Sequence, residues 1–273
     1  MLISIASAKG SPGASTSAHV LAAVWPRPVV LAELDPVGSD LVYRTRSREG
    51  APLDSDRGVV SLAAAIRRDP AAPLRDHVTL IEGDLPVLVG LSRPDQATAI
   101  GAGWSGLATS LHRQGDIIAD VGRLSPGAPS LGVAMASDIT LVAVRPGVEN
   151  YGHLRERLSW IVAETSRRSE RVRLGVLLIA PWKARHEADD LTRLLRGSGL
   201  EVPVVGVLAF DQSAPWRAAA PAPWAAPSWC VRPEPLPPPS PAPSSREVPH
   251  ERRPGTRPRH ARGGRRPPRP AAP

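Results

Sequence analysis

Ile5-Ala6-Ser7-Ala8-Lys9-Gly10-Ser11-Pro12-Gly13-Ala14-Ser15-Thr16 decides how the rest of the chain is read. An apolar run, Leu2 to Ala6, precedes it and reads as a buried strand, and Ser17 to Val24 follows as a helix. A strand, a Gly/Ser loop and a helix are the parts of a phosphate cradle. Loop N–H groups point at the anion, and the helix N-terminus adds a favourable dipole. The general pattern is G-x-x-x-x-G-K-[ST], with the Lys on the β/γ-phosphates and the hydroxyl on Mg²⁺. Gly13 is in register with it and Ser15 stands at the metal hydroxyl. Ala14 stands where the Lys belongs.

Composition bounds the remaining possibilities. The 273 residues, 42% hydrophobic, suffice for one large domain or two small ones. A single Cys excludes a disulfide framework and a multi-Cys zinc site. No apolar run is long enough for a transmembrane helix, and the first residues lack the order of a signal peptide. A cytoplasmic protein is the expectation. The net charge of +8 is unevenly placed: from Ala214 onward lie 11 of the 34 basic residues, all Arg, and 3 of the 26 acidic ones. The first 213 residues therefore hold 23 of each and are neutral. The tail also holds 18 of the 32 prolines, which sets a domain boundary near Phe210 to Trp216.

Outward from the loop, Pro28 to Leu34 is a short β-branched run closing on Asp35-Pro36-Val37-Gly38. Asp35 falls at the carboxyl end of a parallel strand, where open α/β sheets bind ligands, although a turn or capping residue reads the same way locally. A short helix opens near Asp40 and Leu41, and Arg44 to Arg57 reads as a surface loop. Gly58 to Arg68 predicts an amphipathic helix ended by Pro70, Val78–Ile81 and Leu85–Val89 one or two strands, and Asp95 to His112 a helix. Gln114 to Gly122 is an apolar strand ending in Asp120, which suits either a carboxylate orienting water on Mg²⁺ or a turn cap. Strands at Ser137–Pro146, Arg173–Ala180 and Pro203–Phe210 alternate with helices at Glu149–Thr165 and Glu187–Arg196. Strands alternating with helices predict a doubly wound α/β fold, a mostly parallel sheet with helices on both faces. His19, His112 and His153 have no metal-ligand spacing and read as surface or helix residues, and Trp160 reads as packing. Residues 214–232 form a Trp/Pro/Ala-rich linker, and the Pro/Arg-rich 233–273 reads as disordered.

Five segments, in order, resemble the ParA/MinD family of P-loop ATPases over about residues 1–213. Lys9 to Thr16 is similar to its deviant Walker A motif, K-G-G-x-G-K-[ST]-[ST], and Leu31 to Gly38 to its D-x-D-P-x-G strand end. Ile117 to Asp120 resembles its Walker B strand, Ala136–Asp138 with Val142–Pro146 its A-A-D…V-P-V-x-P segment, and Gly206 to Asp211 its G-V-I-P-x-D. The resemblance implies ATP or ADP with Mg²⁺ as ligands. It implies a homodimer in which Lys9 reaches the partner's phosphates. Gly10, Ser11, Gly13, Ser15 and Thr16 would hold phosphate, Ser15, Asp35 and Asp120 would hold the metal, and Asp35 and Lys9 would act on the attacking water and the phosphates.

The departures are Ala14 for the Lys, Ser11-Pro12 for a flexible Gly-x pair, Glu33 for an Asp, and no Asn after the Gly175–Ala180 strand. Losing a charge-assisted phosphate contact costs about 1.5–3 kcal/mol, so weakened nucleotide binding and poor hydrolysis are expected. The function implied is a pseudo-ATPase or nucleotide-binding positioning or scaffold factor, in chromosome or plasmid partitioning or in pilus or secretion assembly. Its partners would be DNA or a partition or pilus protein. An active ATPase relying on Lys9, a DNA binder acting through the Arg-rich tail, and an ATP-dependent synthetase of the same fold are the alternatives.

Overall fold

The computed structural model describes residues 1–10, 12–168 and 172–209. Ser11, Phe210, Asp211, the proposed boundary, the Trp-bearing linker and the Pro/Arg tail lie outside the described residues.

In chain order the elements are β1 (Leu2–Ser7), α1 (Ala14–Ala23), β2 (Val29–Glu33), α2 (Leu41–Arg44), α3 (Val59–Arg68), β3 (Thr79–Leu80) and β4 (Pro86–Leu88). Then come α4 (Pro94–Ile100), α5 (Gly103–Arg113), β5 (Asp116–Arg123), α6 (Leu131–Ala136), β6 (Ile139–Val144), α7 (Val148–Arg168), β7 (Leu174–Ala180), α8 (Glu187–Gly197) and β8 (Val204–Ala209). The eight strands form one sheet in the order β3-β4-β2-β5-β1-β6-β7-β8. Every pairing is parallel except the β3–β4 hairpin at one edge. The expected doubly wound, mostly parallel sheet is therefore present.

The two-residue period of a strand sorts its side chains between two cores. Leu2 and Ala6 of β1 join Ala119 and Val121 of β5, Val142 and Val144 of β6 and Val176 and Leu178 of β7 on one face. Helices α3 to α8 cover that face, through residues such as Leu62, Ile100, Leu107, Val133, Leu158 and Leu195. Ile3, Ile5, Leu31, Ile118 and Ile179 point to the other face, against Ala14, Ala18 and Ala22 of α1 and Leu41 of α2. That alanine stripe keeps α1 low on the sheet, so its N-terminus stays close to the end of β1. Leu2, Ile5, Ile117 and Ile118 are fully buried, and each contributes about 1.5–3 kcal/mol through lost water contact.

Three details differ from the sequence reading. The helix expected over Asp95–His112 is two helices, because Gly101 at φ 51° breaks the run before α5 restarts at Gly103. The region Arg44–Arg57 is tied down rather than loose: Arg46 bridges Pro52, Ser47 bridges Ile81, and Thr45, Ser47 and Leu53 are buried. Helix α6 was not foreseen, since its residues Leu-Gly-Val-Ala-Met-Ala lack a polar face. No helix among the described residues is long and apolar enough to cross a membrane.

Candidate functional site

The chain leaves β1 toward β2 on one side of the sheet and leaves β5 toward β6 on the other. The carboxyl end of β1 is thus where the connections diverge, the place at which open α/β sheets bind ligands. The loop Ala8–Gly13 lies there. Gly10 and Gly13 hold φ of 69° and 106°, a left-handed backbone that a side chain disfavours. Gly13 is the N-cap of α1, and its carbonyl takes bonds from the Ser17 amide and hydroxyl, both at 2.8 Å. No side chain caps the helix, so the first-turn amides point out of the N-terminus as an anion cradle requires. Ala14 opens the helix and is 8% exposed, and the first turn of α1 carries no charged side chain of its own. Ser15 and Thr16 are half-buried beside it.

Glu33, Asp35 and Asp120 lie near one another at the adjacent strands β2 and β5. Asp120 lies inside β5, not at its end, because the strand continues to Arg123. It pairs with Ile5 across the sheet on one side and Glu33 on the other. Its carboxylate accepts from the Gly122 amide at 3.0 Å and has the Ser15 hydroxyl close by, which favours its charged form. Burial, with Asp35 and Glu33 nearby, pushes its pKa up to about 7. Asp35 is half-buried just past β2 and also accepts from the Val37 amide at 2.9 Å. The local turn role and the strand-end position are thus both realised by this one residue. Burial raises the Asp35 pKa too. Gly122, at φ 66°, lies under the Asp35 carboxyl, where an added Cβ would stand 2.3 Å from its Cγ.

Glu33 is placed differently from a metal ligand. Its buried carboxylate accepts from the Ser39 hydroxyl, from the Asp40 and Leu41 amides at 3.1 Å each, and from the Gly90 amide at 3.2 Å. It therefore ties the turn that carries Asp35 to the segment after β4. Its replacement of an Asp reflects reach: one extra methylene carries the carboxylate to α2. Burial still raises its pKa against those four bonds.

A Mg²⁺ ion fits the donor set of Ser15, Asp35 and Asp120. Two desolvated carboxylates with raised pKa values and an adjacent hydroxyl favour a cation, and Mg²⁺ takes one or two carboxylates and completes its shell with water and phosphate. No group of three or more His, Cys, Asp or Glu suited to a metal occurs among the described residues, so a protein-only cage is not built here.

The raised Asp120 pKa has a consequence for the nucleotide-free chain. Between about pH 4 and pH 7 the folded state keeps a proton that the unfolded state has released. Stability falls as pH rises through that window and is flat above it. Three pKa units correspond to at most about 4 kcal/mol. Asp120→Asn is expected to lessen this slope, the remainder coming from the raised Glu33 and Asp35, and to exceed the parent in stability at pH 8. Urea unfolding of both proteins at pH 5 and pH 8 checks it, and an unchanged slope in the variant contradicts the assignment.

Around the loop lie residues whose contacts the sequence did not disclose. Lys9 Nζ is 2.8 Å from His153 Nε2, so the exposed Lys9 rests on α7 of its own chain, where His153 is an exposed helix residue as its sequence reading had it. Arg145, just past β6, donates from Nε to the Pro12 carbonyl at 2.8 Å. The sequence shows Arg145 only as one letter of a strand end, and its reach across to β1 follows from β6 being the next strand. Trp160 packs against the helix-covered core and lies beneath the Arg157 guanidinium, 5.4 Å from the ring centre.

No protein-family model and no curated protein matches the chain. Among solved structures, a ParA family ATPase from Chlorobium tepidum TLS matches with TM-score 0.60 and 17% identity, over 77% of this chain and 84% of that one. A putative plasmid partition protein from Borrelia burgdorferi B31, bound to AMPPNP, matches with TM-score 0.58 and 16% identity, over 77% and 87%. The septum site-determining protein MinD of Pyrococcus horikoshii OT3, complexed with Mg-ADP, matches with TM-score 0.53 and 16% identity, over 77% and 81%. The architecture is that of the P-loop NTPases. Within that class, the chain has the fold of the ParA/MinD ATPases.

Proposed function

We propose that the chain is a ParA/MinD-type nucleotide-binding protein whose phosphate site has lost its lysine and whose metal site is kept. One observation carries this reading: Ala14 heads α1 in the lysine's place, while Ser15 beside it lies close enough to the buried Asp120 to favour its charged form. The loop and the start of α1 thus set a hydroxyl beside a buried carboxylate. The ligand is ATP or ADP with Mg²⁺, bound by Gly10, Ser11, Gly13, Ser15 and Thr16, with Ser15, Asp35 and Asp120 on the metal side. The AMPPNP and Mg-ADP of two similar structures support this choice of ligand. Mg²⁺ would neutralise phosphate charge and polarise the γ-phosphoryl group. Asp35 orients water, and Lys9 is the loop's remaining lysine.

Without the phosphate lysine the site is suited to sensing rather than turnover, because charge stabilisation dominates phosphoryl transfer. The chain then acts in the cytoplasm as a positioning or scaffold factor, as a nucleotide-dependent homodimer. Partition of chromosome or plasmid DNA and assembly of a pilus or secretion machine are the processes this class of protein suits. The Arg-rich tail would add attraction to a polyanion such as DNA.

Light scattering with steady-state hydrolysis tests the reading. A nucleotide-dependent rise in mass, with phosphate release no faster than in Asp35→Ala, is expected. Turnover well above that control would instead make the protein a working ATPase that relies on Lys9.

A further inference from the structure

The bond from Arg145 to the loop bears on how an anion is held without a lysine. Arg145 Nε takes the Pro12 carbonyl at 2.8 Å. A guanidinium nitrogen of the same side chain stands 3.8 Å from where a Cβ on Gly13 would lie, beside Ile179 Cδ1 at 3.6 Å. The peptide unit is planar and trans, so its C=O and N–H point opposite ways. With the Pro12 carbonyl turned onto Arg145, the Gly13 N–H is turned to the far side of the loop. Gly13 is the N-cap of α1, so that amide adjoins the uncapped first-turn amides of the helix. Arg145 has a fixed origin, since it follows directly on β6, hydrogen-bonded to β1 along its length. Its charge polarises the peptide it grips, which makes the opposite N–H a better donor. Pro12, with no N–H of its own and a fixed φ, narrows what this turn can do otherwise.

We infer that Arg145 is a positioning residue for the phosphate loop: by gripping the Pro12 carbonyl it aims the Gly13 amide at a bound phosphate and offsets part of the charge missing at Ala14. The inference rests on the nucleotide-site reading above and deepens it. The ligand chemistry is the diphosphate of a nucleoside diphosphate.

The test is calorimetric titration of the full chain with Mg-ADP and, in parallel, with adenosine. Arg145→Ala is expected to weaken Mg-ADP about tenfold and to leave any adenosine binding and the thermal midpoint unchanged. Arg145→Lys keeps the charge but loses the planar fork, and is expected to recover only part of the loss. Adding millimolar guanidinium to Arg145→Ala is expected to restore affinity, which a general loosening of the fold would not allow. Equal Mg-ADP affinity in the parent and Arg145→Ala overturns the inference and leaves the site reading standing. Binding by Ala14→Lys but not by the parent also overturns it, since Arg145 then offsets nothing. Absence of binding in both the parent and Ala14→Lys removes the site reading and the inference with it.

Discussion

Replacing Ala14 by lysine is expected to raise the affinity for Mg-ADP about tenfold, and about a hundredfold when Arg145 is alanine. Ala14 is the first residue of α1, so a lysine there starts from the positive end of the helix dipole and beside Ser15. A hydrogen bond to a charged group contributes about 1.5–3 kcal/mol, which sets a range of roughly one to two orders of magnitude. The lower figure applies to the parent because Arg145 already supports the same phosphates. The difference between backgrounds is the coupling of the two cations, and a double-mutant cycle measures it directly. The same substitution is expected to raise the rate of ATP hydrolysis, since the proposed site keeps Asp35, Asp120 and Ser15 for the metal. Unchanged affinity in Ala14→Lys would mean that the loop is not closed around phosphate in the way its α1 geometry indicates.

The second large effect is expected at Gly122. An alanine there would place its Cβ 2.3 Å from Asp35 Cγ and 2.5 Å from both carboxylate oxygens. Asp35 is short and is held by the Val37 amide, so it has little room to yield. The position also has φ 66°, where a Cβ costs about 1–2 kcal/mol. Gly122→Ala should therefore lower stability by about that amount and displace Asp35 from the metal side. Mg²⁺-dependent nucleotide binding should fall at least tenfold, while binding in EDTA changes little. Titrations with Mg²⁺ and with EDTA check this, and equal losses in the two would show that Asp35 does not serve the metal. Combining Gly122→Ala with Asp35→Ala should cost no more than either alone, because both remove one carboxylate from one place.

Much of the fold was legible because the strands are short, apolar and punctuated. Val29–Glu33, Leu174–Ala180 and Val204–Ala209 each start just after a proline or an arginine, and the sheet follows from the alternation of such runs with helices. The glycine loop after β1 and Asp35 after β2 stood out because each follows an apolar strand beside a glycine or proline, whereas Asp120, read as a strand end, lies inside β5. What was hidden has a common cause. Arg145 meets Pro12, Lys9 meets His153 and Glu33 meets Gly90 across adjacent strands or a facing helix, at separations of 133, 144 and 57 residues. Local patterns carry no information about such pairs. Helix α6 was missed for another reason: a helix that buries most of its surface has no polar stripe to give it a period. The break at Gly101 was written in the sequence, but the apolar spacing on either side of it bridged the gap.

The same geometry explains why Ala14 need not abolish ligand binding. The anion-binding capacity of a helix N-terminus is a property of its backbone, and that backbone survives here with Gly10 and Gly13 in left-handed conformations. What the missing lysine removes is charge that grows in importance as phosphoryl transfer proceeds. Ground-state binding is thus expected to suffer less than turnover.

The most direct test of the central claim is a calorimetric titration of the parent chain with ADP, with and without Mg²⁺, beside Ser15→Ala. A metal-linked nucleotide site predicts saturable binding in Mg²⁺ that weakens at least tenfold in EDTA, and a Ser15→Ala protein that no longer responds to the metal. Saturable binding with the same affinity in all three conditions would contradict it, as would no binding by either protein at millimolar nucleotide.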